Sequence, residues 1–241
     1  MGWRLIDTGI TDPYYVTAAD EAISLARKEK KVANSLHFYI RNPAAVSVGR
    51  SKKIQDDVNV DECIKNNVKI VRRTTGGGTI FADKDCLIYS LVFNRKEAAL
   101  SSSQEIFENI CHSIVAAFKK CDIDTVYKPP NDILLNGRKI SGSAQILKDD
   151  IVLIHGTILI DTNLELMNKV LKQQRQTYVS TIFRETNQIL SMNDVKEALK
   201  KEFEETFNTE IEKTNLSTYE TELIKKLLKE RYRNDAWNYM R

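Results

Sequence analysis

The chain has 241 residues, of which 42% are hydrophobic and 29% charged, and its formal net charge is +3. This composition is typical of a globular protein with a sizeable core, and the small charge speaks against a large nucleic-acid-binding surface. No apolar run approaches the length needed to cross a membrane. The four cysteines are widely separated and no signal peptide is recognisable, so we expect reduced thiols and a cytoplasmic protein.

Hydrophobic periodicity predicts helices and strands that alternate along the chain. Strands are predicted at 36–41, 44–48, 68–71, 86–93, 132–135, 138–147 and 151–160. Helices are predicted at 16–30, 61–66, 103–120, 164–171, 192–207 and 217–232. A polar connection is expected at 180–187. The simplest architecture for this order is an α+β fold, in which helices pack on one mixed β-sheet.

A glycine-rich loop follows the third predicted strand. Arg72 and Arg73 lead through two threonines into Gly76, Gly77 and Gly78, between two apolar runs. Glycine in a strand context marks a turn, a bulge or a close approach of the backbone. Such a loop can point N–H groups at phosphate oxygens while an arginine binds the same anion. A flexible hairpin is the alternative, because short motifs match often by chance.

A second pattern is a hairpin that carries opposite charges. Asn136-Gly137 between apolar segments indicates a type I′ turn. Asp132 begins one strand and Lys139 follows the turn on its partner, so one rigid element presents a carboxylate and an ammonium group. The next strand is interrupted by residues 155–157, a His-Gly-Thr sequence whose glycine again permits close backbone approach.

Together these segments resemble the lipoate-protein ligase family, which shares a class II-synthetase-like catalytic fold with lipoyl/octanoyl transferases and biotin-protein ligases. The matching motifs are the Arg-Arg-Thr…Gly-Gly-Gly…Asp pattern at 72–83, Asn131-Asp132, the Gly-x-Lys-x-x-Gly-Ser-Ala pattern at 137–144 and His-Gly-Thr at 155–157. Residues 3–22 and 233–238 also resemble the family. Residues 1–241 are therefore interpreted as a single catalytic domain.

The resemblance implies an ATP-dependent ligase with ATP and Mg²⁺ as cofactors and lipoate, or octanoate, as substrate. The acid would form an acyl-adenylate and then pass to a lysine of a lipoyl acceptor domain, of the 2-oxoacid dehydrogenase E2 or glycine cleavage H protein type. Lys139 would contact the carbonyl and phosphate oxygens, where fixed cations contribute most to catalysis. Asp132 would help hold Mg²⁺, although an Asx turn is its alternative. Asn131 is expected to contact the nucleotide.

The remaining binding residues follow from the same motifs. They are Arg73, Gly76, Gly77, Gly78, Thr79, Phe81, Ser143, Ala144, His155 and Thr157. Arg73 is expected to face the ligand and Arg72 to be a structural ion-pair partner. Asp83 is either an anchor of the loop or a turn residue. His155 lines the acyl pocket or is a satisfied histidine in the sheet, and Phe81 lines that pocket or belongs to the core.

Two departures from the family pattern qualify these expectations. Ala82 stands where many members carry histidine before Asp83, which leaves acyl preference open. The chain ends soon after Trp237, where long bacterial ligases continue into a small accessory domain. We therefore expect that domain on a separate protein.

The main alternative is an octanoyltransferase, which takes its acyl group from a carrier through a cysteine thioester. One class of these enzymes places the cysteine where this chain has Val152, and another places it at 124–128, where this chain has none. Cys121 is close to the second of these positions but ends an amphipathic helix.

A biotin-protein ligase is the third possibility, although its Gly-Arg-Gly-Arg loop is missing. A binding module without activity is the fourth, and Lys139 and Asp132 argue against it.

Overall fold

A computed structural model describes residues 2–172 and 178–240. Its largest element is an eight-stranded β-sheet. In order across the sheet, the strands are β11 (Ile211–Lys213), β1 (Trp3–Thr11), β2 (Asn34–Arg41), β6 (Cys86–Asn94), β10 (Ile151–Leu159), β9 (Arg138–Lys148), β8 (Asp132–Leu135) and β7 (Val126–Lys128). β1 pairs in parallel with β2 and β11, and the other neighbours are antiparallel. The sheet is thus mixed, as predicted.

A second, three-stranded sheet corrects the expectation of a single one. It consists of β4 (Lys69–Arg72), β3 (Ala45–Val48) and β5 (Ile80–Ala82), in that order. The glycine-rich loop joins β4 to β5, which lie on opposite sides of β3. It is therefore a crossing between unpaired strands and not the turn of a hairpin.

Nine helices are described in residues 2–172 and 178–240. They are α1 (Pro13–Lys28), α2 (Ile54–Asp57), α3 (Val60–Lys65), α4 (Ser103–Lys120), α5 (Leu164–Val170), α6 (Ile182–Thr186), α7 (Met192–Phe207), α8 (Thr218–Leu227) and α9 (Asp235–Asn238). A π-helical turn, Leu228–Tyr232, continues α8. No helix in these two ranges has the length and apolarity to cross a membrane.

The short helix α6 lies inside the predicted polar connection. Thr181 caps its N-terminus by accepting a hydrogen bond from the Arg184 backbone N–H, and Asn187 ends it in a left-handed conformation. Ile182 is fully buried. Caps at both ends and one buried side chain thus form a helix too short for periodicity to reveal.

The two faces of the large sheet are covered differently. α4 and α7 pack on one face, where Ile110 and Phe203 join the alternating residues of β2, β6 and β10. The other face carries α1 and, beside it, the small sheet, whose Val46 and Phe81 share a core cluster with Ile88 of β6. The space between the two sheets is where the predicted motifs converge.

Candidate active site

A cavity of about 400 Å³ lies between the two sheets. Its floor crosses four neighbouring strands of the large sheet, because Gly142 of β9 pairs with Thr157, Thr157 with Ile88, and Ile88 with Tyr39 of β2. The small sheet, α5 and the chain after it supply apolar walls. The apolar residues on these walls are Ile80, Phe81, Met167, Leu171 and Val179. The result is a long apolar slot with polar groups at its two ends.

The predicted hairpin forms the mouth of the cavity. Asn136 and Gly137 both have positive φ, 51° and 75°, which confirms the predicted turn. The turn brings the Lys139 ammonium 2.5 Å from Asp132 Oδ1, and their side chains are 24% and 17% exposed. The Tyr178 hydroxyl donates to the other carboxylate oxygen at 3.1 Å. The mouth therefore carries a partly exposed ion pair between Lys139 and Asp132, and Tyr178 holds the carboxylate in place.

Gly142 makes room for this pair. A Cβ on Gly142 would lie 2.6 Å from Lys139 Cε and Nζ. The Lys139 backbone is fixed from the other side, since its N–H donates to the Tyr178 carbonyl at 2.7 Å and its carbonyl accepts from the Ser180 N–H at 2.9 Å. These contacts limit where the ammonium can lie.

Asn131 and Ser143 join the mouth to the floor. The Asn131 amide donates to the Ser143 carbonyl, and the Ser143 N–H donates to the Asn131 carbonyl at 3.0 Å. The Ser143 hydroxyl contacts the Tyr89 hydroxyl at 2.8 Å. Both residues line the cavity, but the Asn131 amide nitrogen and the Ser143 hydroxyl already have protein partners, so contacts to a nucleotide remain a prediction.

Arg73 holds the glycine-rich loop in shape. Its Nη2 donates to the carbonyls of Gly76 and Gly78 at 2.7 and 2.6 Å, and its Nη1 donates to the Ser47 carbonyl at 2.7 Å. Burial, aided by repulsion from Arg41, lowers the pKa of Arg73 to about 10, so it stays charged near neutral pH. The guanidinium lines the cavity but spends most of its donors on the loop itself.

Arg72 ties the loop to the end of the chain. Its guanidinium donates to main-chain carbonyls in two segments. These are the carbonyls of Gly49, Arg50 and Lys52, which follow β3, and those of Trp237 and Met240. Its own N–H donates to the Asn238 side chain at 3.0 Å, and its carbonyl accepts from the Trp237 indole at 2.9 Å. Arg72 is thus structural, as expected; the partners described above are main-chain carbonyls, and the expected ion pair stays a prediction.

A buried network lies behind the floor. Asp20 of α1 accepts hydrogen bonds from His37 Nδ1 (3.0 Å), the Tyr39 hydroxyl (2.9 Å) and His155 Nδ1 (3.1 Å). Burial alone would raise the pKa of Asp20, but hydrogen bonds from His155 and His37 outweigh it and lower the pKa. Asp20 is therefore a carboxylate that three donors keep ionised.

His155 is a satisfied histidine in the sheet, one of the two alternatives that the sequence left open, and its place in an acyl pocket stays a prediction. It lines the cavity, and its Nε2 lies 2.8 Å from the Thr75 hydroxyl, which also accepts from Arg73 Nε at 3.0 Å. In the neutral imidazole with its proton on Nδ1, toward Asp20, Nε2 accepts a hydrogen bond from the Thr75 hydroxyl. Burial, opposed by the Asp20 carboxylate, lowers the pKa of His155 and favours the same state.

The cavity gathers most of the predicted site residues. Those that line it are Arg73, Gly78, Phe81, Asn131, Asp132, Lys139, Ser143, Ala144, His155 and Thr157. Gly76, Gly77 and Thr79 do not line it, and Thr79 instead donates to Asp57 at 2.6 Å. Asp83 is a turn residue, since its carboxylate accepts from the backbone N–H groups of Asp85 and Asn163.

Sequence reasoning missed Asp20, Tyr39, Arg41 and Tyr178. Tyr39 and Arg41 both line the cavity, and they alternate with apolar residues on β2. Alternation on a strand places i and i+2 on one face, so the pattern Tyr-x-Arg at the end of an apolar run was an available signal. Asp20 and Tyr178 are brought in by long-range packing, for which the sequence offers no local pattern.

Within residues 2–172 and 178–240, no cysteine lines this cavity. Cys63, Cys86 and Cys111 are buried, and burial raises the pKa of Cys111 to about 12. Cys121 is half-buried at the end of α4, and burial together with Asp194 raises the pKa of its thiol. None of these environments favours a thiolate. Residues 2–172 and 178–240 also contain no group of three or more His, Cys, Asp or Glu side chains that could hold a metal ion.

Comparison with known proteins identifies the family. Residues 12–204 match the family model of the lipoyl protein ligase A/B catalytic domain. The chain belongs to this family. It is therefore an enzyme of the lipoate ligase and octanoyltransferase group, as the resemblance implied.

Individual relatives divide between the two activities. The chain is 28% identical to the octanoyltransferase LipM of Halalkalibacterium halodurans, over 98% of both chains. A bi-partite lipoate protein ligase from Thermoplasma acidophilum, studied with its E2 lipoyl domain, has a TM-score of 0.86 at 23% identity, covering 100% of this chain and 98% of that one. Lipoate-protein ligase A bound with ATP also has a TM-score of 0.86 at 23% identity, over 99% of each chain. The two structures show the fold, and it is the predicted one. The name of the sequence relative favours the octanoyltransferase alternative over the ATP-dependent ligase.

Proposed function

We propose that this enzyme joins a lipoyl or octanoyl group to a lysine of a lipoyl acceptor domain, and that it takes the free acid with ATP through an acyl-adenylate. The observation that carries this proposal is the composition of the cavity. Its mouth holds the Lys139–Asp132 pair, and no thiol lines it among the described residues. A ligase needs fixed positive charge at the reacting oxygens, whereas a thioester route needs a thiolate beside the acyl group.

The proposed reaction has two steps. In the first, a carboxylate oxygen of the acid attacks the α-phosphorus of ATP and the bond to pyrophosphate breaks. In the second, the uncharged amine of the acceptor lysine attacks the carbonyl carbon, the bond to AMP breaks, and the proton released by the amine passes to solvent. Negative charge develops on phosphoryl oxygens and then on the carbonyl oxygen, and the Lys139 ammonium stabilises both. Asp132 and Tyr178 orient that ammonium, and Arg73 keeps the loop beside it folded.

Asp132 suits only a Mg²⁺ ion that arrives with the nucleotide. It is the sole carboxylate on the cavity wall in the described part of the chain, and both its oxygens already accept from Lys139 or Tyr178. Mg²⁺ bound to triphosphate needs one or two protein carboxylates, because phosphates and water complete its shell. When bound, the ion would neutralise phosphate charge, and Asp132 is the residue that would contact it.

The second candidate is transfer of octanoate from a carrier without ATP. The similarity to an octanoyltransferase over 98% of both chains favours it. Against it stands Cys121, the most accessible thiol, which lies in a separate surface cleft with Gln188 and Asp194. A thioester on Cys121 would form outside the acyl cavity. This route therefore needs either direct transfer of octanoate from the carrier to the acceptor lysine or a conformation that brings Cys121 to the cavity.

One experiment separates the two candidates. A lipoyl acceptor domain is incubated with the enzyme and analysed by intact mass, with lipoate, ATP and Mg²⁺ in one arm and octanoyl-carrier protein without ATP in the other. ATP-dependent gain of one lipoyl or octanoyl group supports the ligase. Gain only from the carrier contradicts it and establishes the transferase, and a Cys121→Ser variant then tests the thiol.

The same assay tests whether activation of the acid needs a second protein. The Thermoplasma acidophilum relative is bi-partite, which supports a partner that supplies the accessory domain. We expect the chain alone to transfer from preformed lipoyl-adenylate but to activate free lipoate poorly. Full activation by the chain alone would contradict this part of the proposal while leaving the ligase intact.

A further inference from the structure

The closed end of the cavity contains a buried cation with unused donors. Arg41 of β2 lines the cavity and is 2% exposed. Its Nη2 donates to the Thr17 hydroxyl at 3.2 Å, and its guanidinium carbon lies 5.9 Å from the centre of the Tyr39 ring. Within residues 2–172 and 178–240, Nε and Nη1 have no protein acceptor. A desolvated guanidinium with two idle donors is costly unless a ligand or water satisfies it.

A second idle group lies on the facing wall. Ser47 of β3 lines the same cavity, is almost fully buried, and its hydroxyl has no partner in the described chain. Its carbonyl accepts from Arg73 Nη1, so the strand is held in place while the hydroxyl is not used. Two strands, from two sheets, thus contribute unused hydrogen-bonding groups to the same cavity.

The direction of the bound acyl group follows from access. A lysine of another protein must reach the acyl carbonyl, so the carbonyl lies at the partly exposed Lys139 end and the chain points inward. From β9 across β10 and β6 to β2 there are three strand spacings, about 14 Å in all. An extended eight-carbon acid spans about 9 Å. The Arg41 side chain can cover the remaining distance, so an extended acid would bring its far end close to Arg41.

We propose that Arg41 and Ser47 select an acyl group whose far end accepts hydrogen bonds, the dithiolane of a lipoyl group, over the methyl end of an octanoyl group. The inference rests on the proposed function in taking the cavity to be the acyl site, with the reacting carbonyl at its mouth. Dithiolane sulfurs are polarisable and are weak acceptors, so they suit a neighbouring cation. A methyl end would displace any water from Arg41 and return no acceptor.

The test measures binding of free acids to the intact enzyme by calorimetry. Lipoate, octanoate and 8-hydroxyoctanoate are compared, since the last adds an acceptor to the octanoyl end with little bulk. We expect the wild type to bind lipoate at least 10-fold, and 8-hydroxyoctanoate several-fold, more tightly than octanoate. Arg41→Met, which keeps an apolar stem of similar length, is expected to bring both ratios close to one. Competition between preformed lipoyl- and octanoyl-adenylate for one acceptor domain should shift in parallel.

A milder variant guards against loss of folding in Arg41→Met. Ser47→Ala removes one hydroxyl and is expected to lower the lipoate preference about threefold, with Ser113→Ala, a buried serine on α4 away from the cavity, as its control. Unchanged ratios in folded Arg41→Met, or in Ser47→Ala when Arg41→Met does not fold, overturn the inference. Equal wild-type binding of octanoate and 8-hydroxyoctanoate also overturns it, because size would then explain the preference. Binding of no acid would overturn the inference together with the acyl site, whereas binding with unaltered preference overturns the inference alone.

Discussion

The two ends of the cavity are built in different ways. The mouth is a local structure, in which Asp132 and Lys139 lie on adjacent strands joined by a two-residue turn and remain partly exposed. The closed end, with the network behind it, combines Arg41 of β2 and His155 of β10 with Asp20 of α1, which lies behind the floor, and all three are more than nine-tenths buried. Partly exposed charges can change without unfolding the protein, while buried ones are part of the fold. We therefore expect substitutions at the mouth to affect turnover and those at the closed end to affect stability or acyl binding.

The largest effect is expected at the mouth. Lys139→Met removes the only ammonium group that lines the cavity in the described part of the chain. Loss of one charged group that stabilises developing negative charge reduces turnover by a factor on the order of 10²–10³. The measurement is the rate of acceptor-domain acylation by intact mass, together with a thermal melt.

The neighbouring arginine is the matched control for this variant. Arg138 precedes Lys139 on the same strand but lies toward Glu185 (3.7 Å), outside the cavity. Arg138→Met is expected to keep its rate within about twofold, since an exposed pair of this kind contributes little. Equal, wild-type-like rates for the Lys139 and Arg138 variants would contradict a catalytic role of the Lys139 ammonium group.

At Asp20, in contrast to Lys139, we expect the substitution to lower the stability of the protein. Asp20→Asn removes the charge that accepts from His37, Tyr39 and His155, and it brings a donor into contact with donors. Breaking one partner of a buried network of this kind costs about 3 kcal/mol of unfolding free energy. Urea unfolding at pH 7 measures it. Asp149→Asn, in an exposed pair with Lys28, is the control and is expected to leave the stability close to that of the wild type. Loss of activity with unchanged stability would mean that Asp20 acts in the chemistry.

The same contrast explains what could be predicted from the sequence. The hairpin was predictable because Asn136-Gly137 dictates its turn, and the register follows as far as the pair Leu134 and Lys139, beyond which a bulge shifts it by one residue. Helices α4 and α7 were predicted to the residue because each has a serine cap and a long apolar face. The closed end was not predictable, since residues 20, 41 and 155 meet only after three elements pack. The second sheet was missed because β5 has three residues and follows directly on the glycines, too short for a period of two to be detected.

A third prediction probes how tightly the mouth is built. In Gly142→Ala, the new methyl group meets the flexible end of Lys139, so the ammonium moves and the fold remains. A displacement of this size reduces turnover by roughly 10- to 100-fold. Gly156→Ala is the contrasting variant, because its methyl group meets the buried Tyr89 ring, which cannot move aside. We expect Gly142→Ala to melt close to the wild type and Gly156→Ala to melt lower. Equal melting temperatures for both would mean that the floor beneath Tyr89 adapts.

The smallest expected effect is a pH dependence at the closed end. The folded-state pKa of His155 is lowered by burial from its ordinary 6.5, so the unfolded chain takes up a proton at higher pH than the folded one. Its contribution to stability is complete above pH 6.5 and is lost as the pH falls through the folded-state value, with a slope below about 1.4 kcal/mol per pH unit, the limit for one proton. Asp20 does not produce this slope, because its lowered pKa acts only below its ordinary value of 3.8.

Urea unfolding between pH 7.5 and 5 tests this expectation. As the pH falls, the unfolding free energy should decrease more steeply in the wild type than in His155→Gln, whereas His112→Gln, at an exposed histidine on α4, should follow the wild type. A wild-type slope that persists in His155→Gln would assign the proton to another group and would mean that the closed end does not distinguish the two protonation states of this histidine.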